Sequence, residues 1–288
     1  LQEFHPELVL CPTDFSESAS LALRYANEFA GTWKSKLLVM HVDSLDVPLY
    51  FTTEQVNELV EFRKKARSEA ESHLARYVRD VIADGAAVET AIVEGSIVGS
   101  ILHTAETRNA GMIVMGAHGA GGFNRFMMGS VAERVLRETD RPVLLARAGG
   151  DSPRPRIDRI LCPVNFSAAA FDAFRYAIEV ARTFGAELTA LHVVEPGASD
   201  VQKEELSRTL CDYMPELNRP ACTLTHMVKK GNPAEQIIEA VTSSFCDLVV
   251  LGTRHRRFFD ATVIGSTTSR VARHSPRPVL AVAGTEPA

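Results

Sequence analysis

The stretch Met112-Ile113-Val114-Met115-Gly116-Ala117-His118-Gly119-Ala120-Gly121-Gly122-Phe123-Asn124-Arg125-Phe126-Met127-Met128-Gly129-Ser130 passes from an apolar run into a glycine-rich segment. A helical pattern follows, with Val131, Ala132, Val135 and Leu136 on one stripe. The order is strand, loop, helix. Glycines in such a loop admit φ > 0 and let backbone N–H groups approach a ligand with no side chain in the way. The following helix adds unpaired N–H donors and the positive end of its dipole, so the place suits phosphate. Ser130, read as the N-cap, offers its hydroxyl to the helix or to a phosphate oxygen. Two other phosphate loops are excluded. No Gly-Lys pair occurs in the chain, as a Walker A loop requires, and Asn124 stands where a dinucleotide fingerprint needs glycine.

Working outward, the chain repeats itself. Leu10-Cys11-Pro12-Thr13-Asp14-Phe15-Ser16 recurs as Leu161-Cys162-Pro163-Val164-Asn165-Phe166-Ser167, and His41-Val42 recurs as His192-Val193, at an offset of 151. Further on the offset is 136: Gly116 matches Gly252, Gly129-Ser130 matches Gly265-Ser266, and Arg141-Pro142-Val143-Leu144 matches Arg277-Pro278-Val279-Leu280. The second copy is therefore 15 residues shorter between its second and third strands, where a shorter second helix is expected. Residues 148–156, which include Gly149-Gly150-Asp151-Ser152-Pro153 and Pro155, read as the linker between domains at 1–147 and 157–288.

Within the first copy, strands are expected over 8–11, 37–42, 88–93, 112–115 and 143–146, and helices over 17–30, 53–83, 97–107 and 131–138. Regular βα alternation predicts parallel sheets with right-handed crossovers and helices on both faces. In the second copy Asn232-Pro233-Ala234-Glu235 has the residues of a helix start: N-cap, proline in the first turn, glutamate three residues on.

Composition narrows the function. At 288 residues two domains are expected, and the 45% apolar and 23% charged shares are those of ordinary globular protein. A net charge of −5 speaks against a nucleic-acid binder. No apolar run approaches the roughly 18 residues needed to span a bilayer, and the first residues lack the pattern of a signal peptide. Five cysteines without CxxC spacing point to a reducing compartment, so a cytoplasmic location is expected, with no membrane partner. Cys11 and Cys162, inside expected strands, read as small core hydrophobes. His192, His226, His255 and Cys222 lack a recognised ligand spacing, and none is assigned to a metal.

The spacing glycine, two residues, glycine, nine residues, glycine, serine, at Gly116, Gly119, Gly129 and Ser130, resembles the nucleotide-binding form of the universal stress protein family. The resemblance covers nearly the whole chain, twice. It implies two tandem flavodoxin-like (Rossmann-like) doubly wound α/β domains, each with a five-stranded parallel sheet ordered 3-2-1-4-5. In that order strands 1 and 4 are neighbours at the switch point, where a crevice opens at their carboxyl ends. For the first copy it implies bound ATP, with Mg²⁺ held mainly by the phosphates. Pro12, Thr13 and Asp14 would meet the ribose or adenine end, and Val42 the adenine edge through its backbone. Met115, Gly116, His118 and Gly119 would wrap the ribose and α-phosphate, and Gly129, Ser130 and Val131 would take the outer phosphates. Asp14 also fits a plain helix start, His118 a plain loop residue, and Arg125 either a phosphate partner or a solvated side chain. In the second copy Asn165 replaces the aspartate and His255 the second glycine, so weak or absent nucleotide binding is expected there. The family also implies pairing of domains through the fifth strands, here within one chain, with two tandem chains associating as a homodimer.

No residue is assigned a catalytic role. The stretch 116–130 contains no Asp or Glu to hold a metal or orient water, so at most slow ATP hydrolysis is expected. A nucleotide-dependent regulator of the stress response is the leading reading. A slow ATP hydrolase and a nucleotide-independent interaction scaffold are the alternatives.

Overall fold

The computed structural model describes residues 5–44, 53–82, 87–119, 128–147, 155–194, 196–197, 204–205, 208–209, 223–244, 246–253, 256–258, 261–263 and 265–284; for 53–64, 256–258 and 261–263 it describes the backbone alone. The first copy runs β1 Leu8–Pro12, α1 Glu17–Trp33, β2 Lys36–Asp43, α2 Thr53–Val81, β3 Val88–Glu94, α3 Ile97–Thr107, β4 Met112–Gly116, α4 Ser130–Glu138 and β5 Val143–Ala146. The second runs β6 Arg159–Pro163, α5 Ala168–Phe184, β7 Glu187–Val194, β8 Leu224–Lys230, α6 Pro233–Ser243, β9 Leu248–Thr253, β10 Arg256–Phe258, β11 Ala261–Val263, α7 Ser266–His274 and β12 Val279–Ala283. The β10–β11 hairpin has no forerunner in the sequence reading. The expected shorter helix between β7 and β8 lies largely outside the described residues, as do 148–154 of the linker.

The main sheet has ten strands in the order β3-β2-β1-β4-β5-β12-β9-β6-β7-β8. Each half is parallel and ordered 3-2-1-4-5 in its own numbering. The halves meet where β12 pairs antiparallel with β5, Leu280 opposite Leu144. β1 is buried along its whole length, as the central strand of a two-sided parallel sheet must be. Its side chains alternate: Val9 and Cys11 enter the apolar cluster under α1 and α2, Leu8 and Leu10 the cluster under α3 and α4.

Helix α1 forms because Ala19, Ala22, Leu23, Ala26, Phe29, Ala30 and Trp33 recur at helical spacing and bury one stripe. Ser16 caps it, its Oγ accepting from Ala19 N at 3.1 Å. α5 repeats the device with Ser167 and Ala170. In α6, Asn232 is the N-cap and its Oδ1 accepts from Glu235 N at 3.3 Å.

Beyond the β5–β12 pairing, side chains among the described residues join the halves on both sheet faces. On one sheet face Phe29 meets Phe184 at 4.9 Å between ring centroids, and Trp33 Nε1 donates to Thr183 Oγ1 at 3.3 Å. On the other, Glu133 Oε1 accepts from Arg273 Nη2 at 2.6 Å, and Arg147 Nη2 donates to Ala272 O at 2.7 Å. Burial pulls the Arg147 guanidinium down to about 10.

Candidate functional site

The carboxyl ends of β1 and β4 open on a cavity of about 630 Å³. All eleven residues singled out from the sequence line it: Pro12 at the end of β1 with Thr13 and Asp14 after it, Val42 on β2, Met115 and Gly116 at the end of β4 with His118 and Gly119 after it, and Gly129, Ser130 and Val131 at the start of α4.

The β1 side is rigidly built. Asp14 Oδ1 accepts from Ser16 N at 3.1 Å and from Ser16 Oγ at 2.6 Å. Ser16, not Asp14, therefore caps α1, and Asp14 buttresses the cap while its carboxylate reaches the cleft. Phe15 sits between them in the left-handed region, φ 62°. Its ring packs on His41 with centroids 4.6 Å apart, and on His73 and Tyr77. His41 Nδ1 lies 2.8 Å from Thr13 O. A carbonyl only accepts, so Nδ1 carries the proton. The second copy matches: Phe166 at φ 58°, its ring 4.8 Å from His192, and His192 Nδ1 at 2.7 Å from Val164 O. These paired histidines brace the turn after the first strand of each copy.

Val42 meets the cleft through its backbone. Lys36 N donates to Glu7 O and Met40 O accepts from Thr13 N, so the even-numbered residues of β2 direct their peptide groups toward β1. The odd-numbered residues face β3, where Asp43 O accepts from Gly95 N. The β1 pairing ends at Pro12 opposite Met40. Val42 lies two residues further on, so its N–H and C=O point past the end of β1 into the cavity.

The glycines act differently from the sequence expectation. Gly116, Gly119 and Gly129 are absent from the described glycines with positive φ, which are Gly95, Gly185 and Gly231. Gly116 answers a close approach instead: a Cβ there would lie 2.5 Å from Ser18 Oγ and 3.0 Å from Ser18 C and His118 O. At Gly119 a Cβ would lie 2.9 Å from Asp14 Oδ2, so the loops after β1 and β4 touch across the cleft. At Gly129 it would meet nothing nearer than 3.6 Å. Gly129 N donates to Ala117 O at 2.8 Å and closes the loop. A second correction concerns the helix start: Gly129, at φ −67° and ψ 150°, is the N-cap of α4, and Ser130 is its first helical residue. No side chain caps this end, which leaves first-turn N–H groups turned to the cavity. Arg125 lies outside the described residues.

Sequence reasoning missed much of the apolar wall: Met40, Ile97, Ile101, Met128 and Ala132, with Ala19 and His41. A signal was present. Ile97 and Ile101 are one helical turn apart, and Met40 and Val42 share a strand face.

The equivalent cleft of the second copy measures about 290 Å³. Asn165 Oδ1 accepts from Ser167 N and Oγ. A Cβ on Gly252 would lie 2.3 Å from Ala169 O. Thr268, which stands where the first copy has Ala132, donates to Gly252 O at 3.0 Å and occupies space there. His255 and Cys222 lie outside the described residues. Among the described residues no group of three or more His, Cys, Asp or Glu is placed to hold a metal, and no helix is long and apolar enough to cross a membrane.

The model of the universal stress protein family matches the chain twice, over residues 7–147 and 156–283. A universal stress protein of Mycolicibacterium smegmatis is 24% identical over 286 residues, covering 95% of this chain and 96% of that protein. The universal stress protein MJ0577 of Methanocaldococcus jannaschii is 28% identical over 151 residues, 48% of this chain and 93% of that protein. Among solved structures, a universal stress protein from Archaeoglobus fulgidus superposes with a TM-score of 0.71 at 24% identity, covering 98% of this chain and 99% of that one. That likeness establishes the shared tandem fold.

Proposed function

This chain belongs to the universal stress protein family, and on that premise we propose that its first domain binds ATP and that occupancy regulates its part in the stress response. The observation that carries this reading is the convergence on one cavity of about 630 Å³ of three kinds of group. The backbone of Val42 offers one donor and one acceptor, the pair that the N1 and N6 edge of adenine complements. Asp14 offers a carboxylate fixed by Ser16, suited to ribose hydroxyls. The start of α4 offers backbone N–H groups and a positive dipole end, suited to phosphate. In this reading Mg²⁺ is held by the phosphates themselves.

The domains of the proposal are residues 1–147 and 157–288 joined by 148–156. The second is assigned weak or no nucleotide binding, supported by its smaller cleft and by Asn165 in place of Asp14. Regulation is favoured over hydrolysis. Among the described lining residues Asp14 is the carboxylate, and its Oδ1 is already engaged by Ser16. Water activation would have to be organised around a group committed elsewhere. A cytoplasmic location and association of two tandem chains complete the proposal.

Titration calorimetry with ATP, ADP, AMP and cyclic AMP tests it. Wild type is expected to bind ATP at one site per chain. Gly119→Glu, which sets a side chain and a like charge against Asp14 and the phosphates, is expected to reduce binding at least tenfold. Undiminished binding by that variant would remove the assignment of this cleft.

A further inference from the structure

We infer that Ile97 forms the outer wall of a base pocket, closing over one face of a planar heteroaromatic ring and fixing the direction in which the ligand lies. This rests on the nucleotide reading of the same cleft and adds to it a residue and a wall, α3, that the loop motif does not reveal.

Ile97 is 41% exposed and Phe171 is 37% exposed; these are the large apolar side chains that stand open to solvent among the described residues. Phe171 carries the Arg175 guanidinium over its ring, 5.9 Å from the centroid. Ile97 instead lines the mouth of the cleft. It is the first residue of α3, and Ile101, one turn later on the same face, is buried. Together they make an apolar rail from the mouth of the cavity to its floor.

The β2 side of the cavity is apolar as well. Met40 and Val42 share a face of β2, and both belong to the same buried cluster as Ile101 and Met115. An apolar slot lined from α3 and β2 suits a flat ring. Ribose hydroxyls or phosphate oxygens set against those apolar side chains would lose water without a matching gain. With the ring in the slot, the polar remainder of the ligand is directed toward Asp14 and the start of α4.

The repeat supplies a comparison. Pro233, the usual residue for a first helical turn, holds this position in the second copy, beside the cleft of about 290 Å³. The first copy has a β-branched residue there, a poorer helix starter left open to water. That local cost has a physical reason if a ligand covers the side chain.

Calorimetry with ATP and with adenosine on wild type, Ile97→Ala, Ile97→Leu and Phe171→Ala provides the test, with thermal midpoints recorded alongside. Ile97→Ala is expected to weaken both ligands by the same factor, about tenfold for the apolar contact removed. Ile97→Leu should recover most of the loss. The Ile97 variants should keep the wild-type midpoint, and Phe171→Ala should bind as wild type does. Equal binding by Ile97→Ala and wild type, or a loss confined to ATP, overturns the inference and leaves the nucleotide reading standing. If wild type binds neither ligand at millimolar concentration, the nucleotide reading falls and this inference falls with it.

Discussion

At the scale of single residues, the glycines of one motif answer different physical demands. Gly116 is demanded by the protein itself, because Ser18 of α1 occupies the space a methyl group would need. Gly116→Ala should destabilise the fold by about 1–3 kcal/mol, the usual cost of forcing atoms into a packed site. Gly129 has ordinary room around it and an unexceptional backbone. Gly129→Ala should cost no more than about 1 kcal/mol, the loss of a good N-cap residue, and still reduce ATP binding, since the space it fills is the space a phosphate would approach. Thermal unfolding and calorimetry on the two variants separate the roles, and a Gly129→Ala protein that binds ATP as wild type does would contradict the proposed placement of phosphate. The spacing of the motif was legible in the sequence. The division of labour was not, because Ser18 and Asp14 come from far away along the chain. The cysteines were legible: Cys11 is fully buried, its thiol pushed up to about 12 by loss of solvation, and Cys162 is buried and raised in the same way. Neither forms thiolate near neutral pH.

At the scale of elements, the boundaries that a side chain decides were readable, and those that the backbone decides were not. Asn232 caps α6 as its sequence pattern requires, through its own Oδ1. The start of α4 moved by one residue, because the N-cap is defined by extended dihedrals and Gly129 adopts them. The ends of α1 and α5 give a direct comparison within one chain. Lys34 terminates α1 at φ 55° and Gly185 terminates α5 at φ 66°, both left-handed. No neighbour lies within 4 Å of a Cβ built on Gly185, so the difference between the two positions is backbone strain alone. Lys34→Gly is therefore expected to stabilise the protein by about 0.5–1 kcal/mol, and Gly185→Ala to destabilise it by a similar amount, as read from denaturant midpoints. Equal midpoints for all three proteins would show that the strain is relieved elsewhere.

At the scale of the whole molecule, β5 and β12 turn two sheets into one, and the side chains around that joint connect the first cleft to the second copy. α4 begins in the cavity with Ser130 and Val131, and at Glu133 it is bonded to Arg273 of α7. Ala272 and Ala281 of the second copy share the apolar cluster of Val135, Leu136 and Leu145. Trp33, the one tryptophan of the chain, is buried at the joint. Its fluorescence should therefore change in the same transition as the far-ultraviolet circular dichroism, with the two copies unfolding as a unit; two resolved transitions would show that the joint is weaker than the domains. A solution mass of twice the 31.5 kDa chain is the expected outcome for the proposed association of tandem chains. The sequence by itself determined the doubled βα alternation, because strand burial, helix stripes and loop spacing are local patterns; the set of residues expected at the first cleft followed from its likeness to a known family. Tertiary structure alone decided why Gly116 must be glycine, which apolar side chains wall the cavity, and how the copies are fastened. Each of those depends on atoms that share no stretch of chain and become neighbours only when the sheet closes.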